Sequence, residues 1–357
     1  MNDKRALKIW LYSGLIMVFV QVVVGGITRL TGSGLSITKW EIITGVVPPL
    51  SKDQWTKEFE MYKETPQYRE INEGMELGSI LKSGTFKFIY FWEWVHRQWA
   101  RLMGLVFIFP FLYFLYRKQL SKNLLIRLIV LLLLSAAAAS LGWIMVSSGL
   151  IDRPWVNAYK LSIHLILAFI VFIYLWWTIL LEFEERRRWV DHVDLRWIRN
   201  GFLFFLILLW IQIFFGGIMS GMKAAVVYPT WPDMNSEFFP QVLFNINNLS
   251  VDNFIKYDQN EWMPAFVHFI HRSIAYVLLI LGSILFYLSI CKSFLNQIAG
   301  KWMLWIIVLI TQVILGIITV VLSKGSIPIL FGVLHQAVAL ALLTVTYYLQ
   351  FILNKKI

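Results

Sequence analysis

The chain has 357 residues, of which 58% are hydrophobic and only 15% charged, and its formal net charge is +11. A soluble domain is closer to half apolar and a quarter charged, so the composition excludes an ordinary water-soluble fold and points to an integral membrane protein. The positive charge is read as topology-setting loop residues, not as a nucleic-acid surface, and with Cys291 as the single cysteine no internal disulfide can form.

A membrane-spanning helix needs about 20 apolar residues. In chain order the expected spans are 9–27, 88–116, 124–147, 160–182, 200–220, 264–290, 302–323 and 327–353. The stretch before the first is too short for a targeting peptide, and the first apolar run is long enough to span. Between the spans, Lys4, Arg5 and Lys8, then Arg117, Lys118 and Lys122, then Arg186, Arg187, Arg188 and Arg196, then Lys292 and Lys301, then Lys355 and Lys356 all fall on one side of eight spans. The positive-inside rule makes that side cytoplasmic and puts both termini there. The long loops 28–87 and 221–263 are then outside.

The spans look duplicated. "QVVVGGI" (21–27) recurs as "QIFFGGI" (212–218), "HRQWA" (96–100) as "HRSIA" (271–275), and "HLILA" (164–168) as "HQAVA" (335–339). The expected fold is all-α: eight transmembrane helices as two tandem four-helix-bundle repeats of the same orientation. The first half is 1–182, the linker 183–199 and the second half 200–357.

Of the six histidines, His192 falls in the linker. His96, His164, His271 and His335 each fall near the outer end of an even span. One imidazole in a membrane helix can simply hydrogen-bond across helices. Four on related helices at one depth point further, since ionisable groups in a bilayer are costly and usually functional. Facing imidazoles in a helix bundle suit metal or haem ligation; two pairs, one per half, suit two haems better than zinc. Gly104, Gly142 and Gly316 could leave room for flat rings. Arg97 and Arg272, each next to a ligand candidate, suit haem carboxylates, with Arg29, Arg153 and Lys160 as further cations; a snorkelling arginine is the plainer reading. The halves differ three residues before the first ligand: Glu93 in one, His268 in the other. An acid in one half only suggests proton transfer there, against the alternative that Glu93 merely pairs with Arg97 one turn on.

"GGITRLTGSGLSITKW" (25–40), "EWVHRQWARLMG" (93–104), "LGWIMVSSGL" (141–150), "YKLSIHLILA" (159–168), "FIHRSIA" (269–275) and "LHQAVALAL" (334–342) together resemble the heme A synthase family over nearly the whole chain. The long loop 48–72 is similar to the branch found in mitochondria and many Gram-negative bacteria. The resemblance implies oxidation of the C8 methyl of haem O to a formyl group, giving haem A for cytochrome oxidase. It implies that His96 and His164 hold the substrate haem O, that His271 and His335 hold a resident haem B, that Glu93 is the catalytic acid, and that Arg97 and Arg272 serve the two sites. It also implies the bacterial inner membrane, haem O from a haem O synthase, and an electron donor or acceptor that the sequence does not name. The family's loop cysteine pair is missing, Lys223 stands where relatives often have an acid, and His268 where many have glutamine. The competing readings are a bis-histidine membrane cytochrome b and a haem-handling assembly factor. An electron carrier would place haems near opposite faces, and an assembly factor would not need Glu93.

Overall fold

The computed structural model describes residues 3–39, 44–151, 153–184, 195–245, 248, 250–291 and 298–353. Among these residues the ordered elements are helices and turns, with no strand. In order they are α1 (Asp3–Leu30), α2 (Lys52–Lys63), α3 (Pro66–Glu70), α4 (Phe86–Tyr116), α5 (Lys122–Gly149), α6 (Ala158–Phe183), α7 (Leu195–Gly221), α8 (Ala224–Val227), α9 (Val251–Ile255), α10 (Trp262–Ile290), α11 (Ala299–Val321) and α12 (Ile329–Leu353). Eight of them, α1, α4, α5, α6, α7, α10, α11 and α12, are long and apolar enough to cross a membrane. They coincide with the eight expected spans. Large apolar side chains such as Ile16, Phe109, Leu133 and Ile280 point outward from them, as lipid-facing positions should.

The chain forms two compact units, Met1–Phe172 and Ile173–Ile357, and the division falls inside α6. Most of the expected linker, with His192, lies outside the described residues.

In the first unit α1 and α4 are joined by polar groups reaching across an apolar interface. Trp10 Nε1 donates to Val106 O at 2.9 Å, Trp99 Nε1 to Met17 O at 2.9 Å, and Thr28 Oγ1 to Trp92 O at 3.1 Å. In lipid, which offers no hydrogen-bonding solvent, such bonds pin helix register. The second unit uses the same device. Trp305 Nε1 donates to Thr346 Oγ1 at 2.8 Å between α11 and α12, and Trp210 Nε1 donates to Tyr347 Oη at 3.1 Å between α7 and α12.

The loop between α1 and α4 is a small folded cap, which the span count does not foresee. Ser51 and Gln54 close a capping box at the start of α2; Thr65 caps α3, whose first residue is Pro66. Trp55, Phe59 and Tyr62 from the cap pack on Phe86, Ile89 and Tyr90 at the start of α4, with Ile37 beside them. That aromatic core extends α4 beyond the apolar span and carries the loop over the helix ends.

How α1 stops matters to the site. Ser33 N donates to Thr28 O and Gly32 N to Arg29 O, the double bond of a Schellman stop, with Gly32 at φ +70°. This left-handed turn sends residues 33–37 back across α4. The second unit also passes through a left-handed residue after α7, Lys223 at φ 53°, whose N–H donates to Ser220 O. Lys223 lies 191 residues after Gly32, the offset between the two glutamine–glycine motifs. A side chain in that region costs about 1 kcal/mol relative to glycine.

Two outcomes follow. Lys223→Gly is expected to raise the stability of the detergent-solubilised chain by roughly 1 kcal/mol, read as a higher thermal midpoint, and no rise would mean the turn is unstrained. Tyr62, in the cap core, donates to Gln67 Oε1 and accepts from Asn72 Nδ2; burial pushes its hydroxyl up from 10.0 to about 12. The folded cap therefore favours the neutral phenol. Its contribution is complete below pH 10 and is lost as the pH rises from about 10 toward 12. A tyrosinate absorbance titration should show a late step that is missing in Tyr62→Phe.

Candidate functional site

Each of the four membrane histidines rests against a glycine of a neighbouring helix. A Cβ built on Gly25 of α1 would lie 3.2 Å from His96, on Gly142 of α5 3.0 Å from His164, on Gly216 of α7 2.9 Å from His271, and on Gly316 of α11 2.9 Å from His335. Any larger residue would push the imidazole away. Gly104, by contrast, has nothing within 4 Å of such a Cβ and borders open space, not an imidazole.

One helical turn before three of these glycines stands a glutamine. Gln21 Nε2 donates to His96 Nε2 at 3.0 Å, Gln212 Nε2 to His271 Nε2 at 3.2 Å, and Gln312 Nε2 to His335 Nε2 at 3.3 Å. An amide nitrogen can only donate, so each Nε2 must carry the lone pair and each Nδ1 the proton. In the second unit that proton has a place to go: Nδ1 of His271 donates to Gln212 O and Nδ1 of His335 to Gln312 O, both at 3.1 Å. One glutamine thus holds both edges of one ring, its carbonyl on Nδ1 and its amide on Nε2. The fourth position has Ala138 instead. His164 takes the same pose against Gly142, with the Ala138 carbonyl beside it, but its Nδ1 closes no well-formed hydrogen bond among the described residues. His96 differs in another way: it turns its Nε2 edge toward Gly25, while the other three turn their Cε1 edge toward their glycine.

These glutamines, with Gly25 and Gly216, escaped the sequence reading. The signal was a Gln-x-x-x-Gly spacing on three helices that each precede a histidine helix. Two copies lie in the repeated segment, where they also mark the duplication.

His271 and His335 bring their ring centres to 6.5 Å, at 74° to one another. A metal–imidazole bond is about 2 Å long, so two rings sharing one ion have centres roughly 6 Å apart. The four histidines are partly accessible. No cluster of three or more His, Cys, Asp or Glu able to hold a bare metal ion occurs among the described residues. Paired imidazoles whose Nδ1 donates to a carbonyl, so that the lone pair lies on Nε2, fit a haem iron once the glutamine amide gives way.

Glu93 is buried, and its carboxylate is surrounded. Oε2 accepts from Ser36 N at 2.7 Å, Ser36 Oγ at 2.7 Å and Ile37 N at 2.9 Å, and Oε1 pairs with Arg97 at 2.6 Å. The loop that Gly32 turns back is therefore fastened to α4 by this one carboxylate. Arg97 also donates to Ile37 O and Lys39 O. Arg272, its counterpart, donates to Pro232 O at 2.7 Å and Phe238 O at 2.6 Å and lies between the rings of Phe238 and Phe269. Both arginines thus clamp loop carbonyls over the histidines, while Arg272 Nε remains buried and unpartnered. His268, at the place of Glu93, is buried against the Tyr228 ring and makes no comparable loop contact among the described residues.

Residues 8–347 match the family described as cytochrome oxidase assembly protein, COX15-CtaA. The chain is 40% identical to a heme A synthase of Flavobacterium psychrophilum, covering 98% of each chain. It is 37% identical to one of Flavobacterium johnsoniae over 99% of each, and 36% identical to one of Bradyrhizobium diazoefficiens over 95% of this chain and 89% of that one. The chain belongs to the heme A synthase family. With eight membrane-crossing helices it is a multi-pass membrane member of that family.

The glycine contacts separate structure from coincidence. Gly216→Ala and Gly316→Ala should displace their imidazoles and lower haem bound per chain, measured by pyridine haemochrome. Gly104→Ala should leave haem content unchanged. Equal effects at all three positions would mean that the glycines merely pack helices.

Proposed function

We propose that the chain is a heme A synthase: it oxidises the C8 methyl of haem O to a formyl group, making haem A for cytochrome oxidase. The observation that carries the reading is the set of four histidines, each seated on a glycine, and paired in the second unit at the spacing two axial ligands need. His96 and His164 bind the substrate haem O, and His271 and His335 hold a resident haem B. When bound, haem B supplies one-electron transfer. The two halves correspond to 1–182 and 200–357 around the basic linker. The basic short loops put both termini in the cytoplasm and the cap loops on the outer side of a bacterial inner membrane. A haem O synthase supplies the substrate, and a separate redox partner exchanges the electrons.

The asymmetry between units supports an enzyme over a duplicated electron-carrying cytochrome. The first unit alone has a carboxylate, Glu93, one turn outward of its ligand. Oε2 is occupied by three donors, but Oε1 has Arg97 alone and keeps a lone pair. Oxidising a methyl to a formyl group releases protons at that carbon, and Glu93 Oε1 is the acceptor we assign. Arg97 balances the negative charge of the carboxylate until Oε1 takes a proton. Arg272 Nε is a donor suited to a haem carboxylate at the second site. The loops fastened by Glu93, Arg97 and Arg272 close the outer ends of both sites to water.

Glu93→Gln tests the assignment in cells that also make a haem O synthase. The variant should keep haem B in the second unit and yield little or no haem A, with haem O or a hydroxylated intermediate accumulating in extracted pigment. Normal haem A output would leave Glu93 as a loop fastener only. If the wild-type chain itself yielded no haem A, the enzyme reading would fall.

A further inference from the structure

We propose that His164 is the histidine a haem meets first when it enters the first unit, and that Ala138 is the residue that makes it so. The inference rests on the haem reading above and concerns the order in which ligands are taken up. Three of the four histidines carry a glutamine amide on Nε2, the atom that would bind iron. In each of those glutamines Oε1 is buried without a hydrogen-bond partner. The amide is therefore held by its bonds through Nε2 and is only half satisfied where it stands. Before iron can be bound, that amide has to leave.

His164 has no such amide. The residue one turn before Gly142 is Ala138, whose methyl cannot reach the ring. Nothing among the described residues donates to His164 Nε2, and the ring holds the pose of His271 and His335 without a side chain capping it. His96, its partner, is doubly unready: Gln21 donates to its Nε2, and that edge faces Gly25 on α1. Iron binding at His96 requires the glutamine to release the ring and the ring to turn. Uptake in the first unit is thus ordered, His164 first and His96 second. The second unit, with Gln212 and Gln312 both in place, has no uncapped ligand and takes up haem slowly and holds it. Release runs in reverse: Gln21 recaptures His96 and leaves the haem on His164 alone. That suits a site which has to let its product go.

The test uses the full-length chain purified in detergent from haem-starved cells, with haemin as the probe and stopped-flow absorbance of the Soret band as the readout. In a His271→Ala/His335→Ala background, which leaves only the first-unit pair to bind haemin, there should be a fast phase to a species with one imidazole, then a slower phase to the low-spin form; the further variants are made in that background. His164→Ala should remove the fast phase, and His96→Ala should keep it but arrest there. Ala138→Gln should slow the fast phase, and Gln21→Ala should accelerate the second phase, each by roughly fivefold, the worth of one hydrogen bond. A fast phase that survives His164→Ala, or phases unmoved by both Ala138→Gln and Gln21→Ala, would overturn the proposal. No Soret change in the wild type would overturn the haem reading beneath it.

Discussion

An imidazole inside a membrane has two nitrogens and no water to satisfy them, and the structure around the sites follows from that. The carbonyl of a helical residue can accept from Nδ1 only if the ring edge comes close to the helix backbone. A glycine one turn further along is what lets it approach. The same residue's side-chain amide then reaches Nε2. One four-residue spacing on one helix fixes ring position, tautomer and the direction of the Nε2 lone pair on its neighbour. Membrane helices commonly use small residues to bring backbones together; here they bring a ring to a backbone and fix its orientation.

The loop ends of the helices are organised by charge. Glu93 draws Ser36 and Ile37 onto α4 because Gly32 has already turned the chain, and Arg97 completes the contact. The second unit achieves a similar closure without an acid, by setting Arg272 between two phenyl rings and two carbonyls. A buried carboxylate surrounded by donors costs desolvation, which its partners offset. That the chain maintains one in the first unit and not in the second is the clearest chemical difference between two otherwise similar sites.

The asymmetry extends to the ligands. The second pair is held on both ring edges by Gln212 and Gln312, while the first pair has one glutamine and an alanine. A site that keeps its cofactor benefits from fully fixed ligands. A site that takes in a substrate and releases a product benefits from one ligand that is not fixed. On the proposed assignment of the two haems, the two units meet one requirement each.

The eight spans and the four histidines with their acid and arginines were all legible in the sequence. Each depends on local composition or helical spacing, which the sequence carries directly: twenty apolar residues must cross a bilayer, and a charge within them must have a reason. The cap formed by α2 and α3 was not foreseen, because its core of Trp55, Phe59 and Tyr62 becomes a core only when the start of α4 is packed against it. Glu93 stood out as an acid in an unusual place, but its clamp on Ser36 and Ile37 joins residues more than fifty apart in the chain. Likewise, Gln21, Gln212 and Gln312 read as ordinary polar residues in apolar helices. Only the packing of α1 on α4, α7 on α10 and α11 on α12 puts an imidazole beside each of them. Side chains on separate helices meet through tertiary packing, so the residues proposed to carry the chemistry were visible in the sequence, and their partners were decided by the fold.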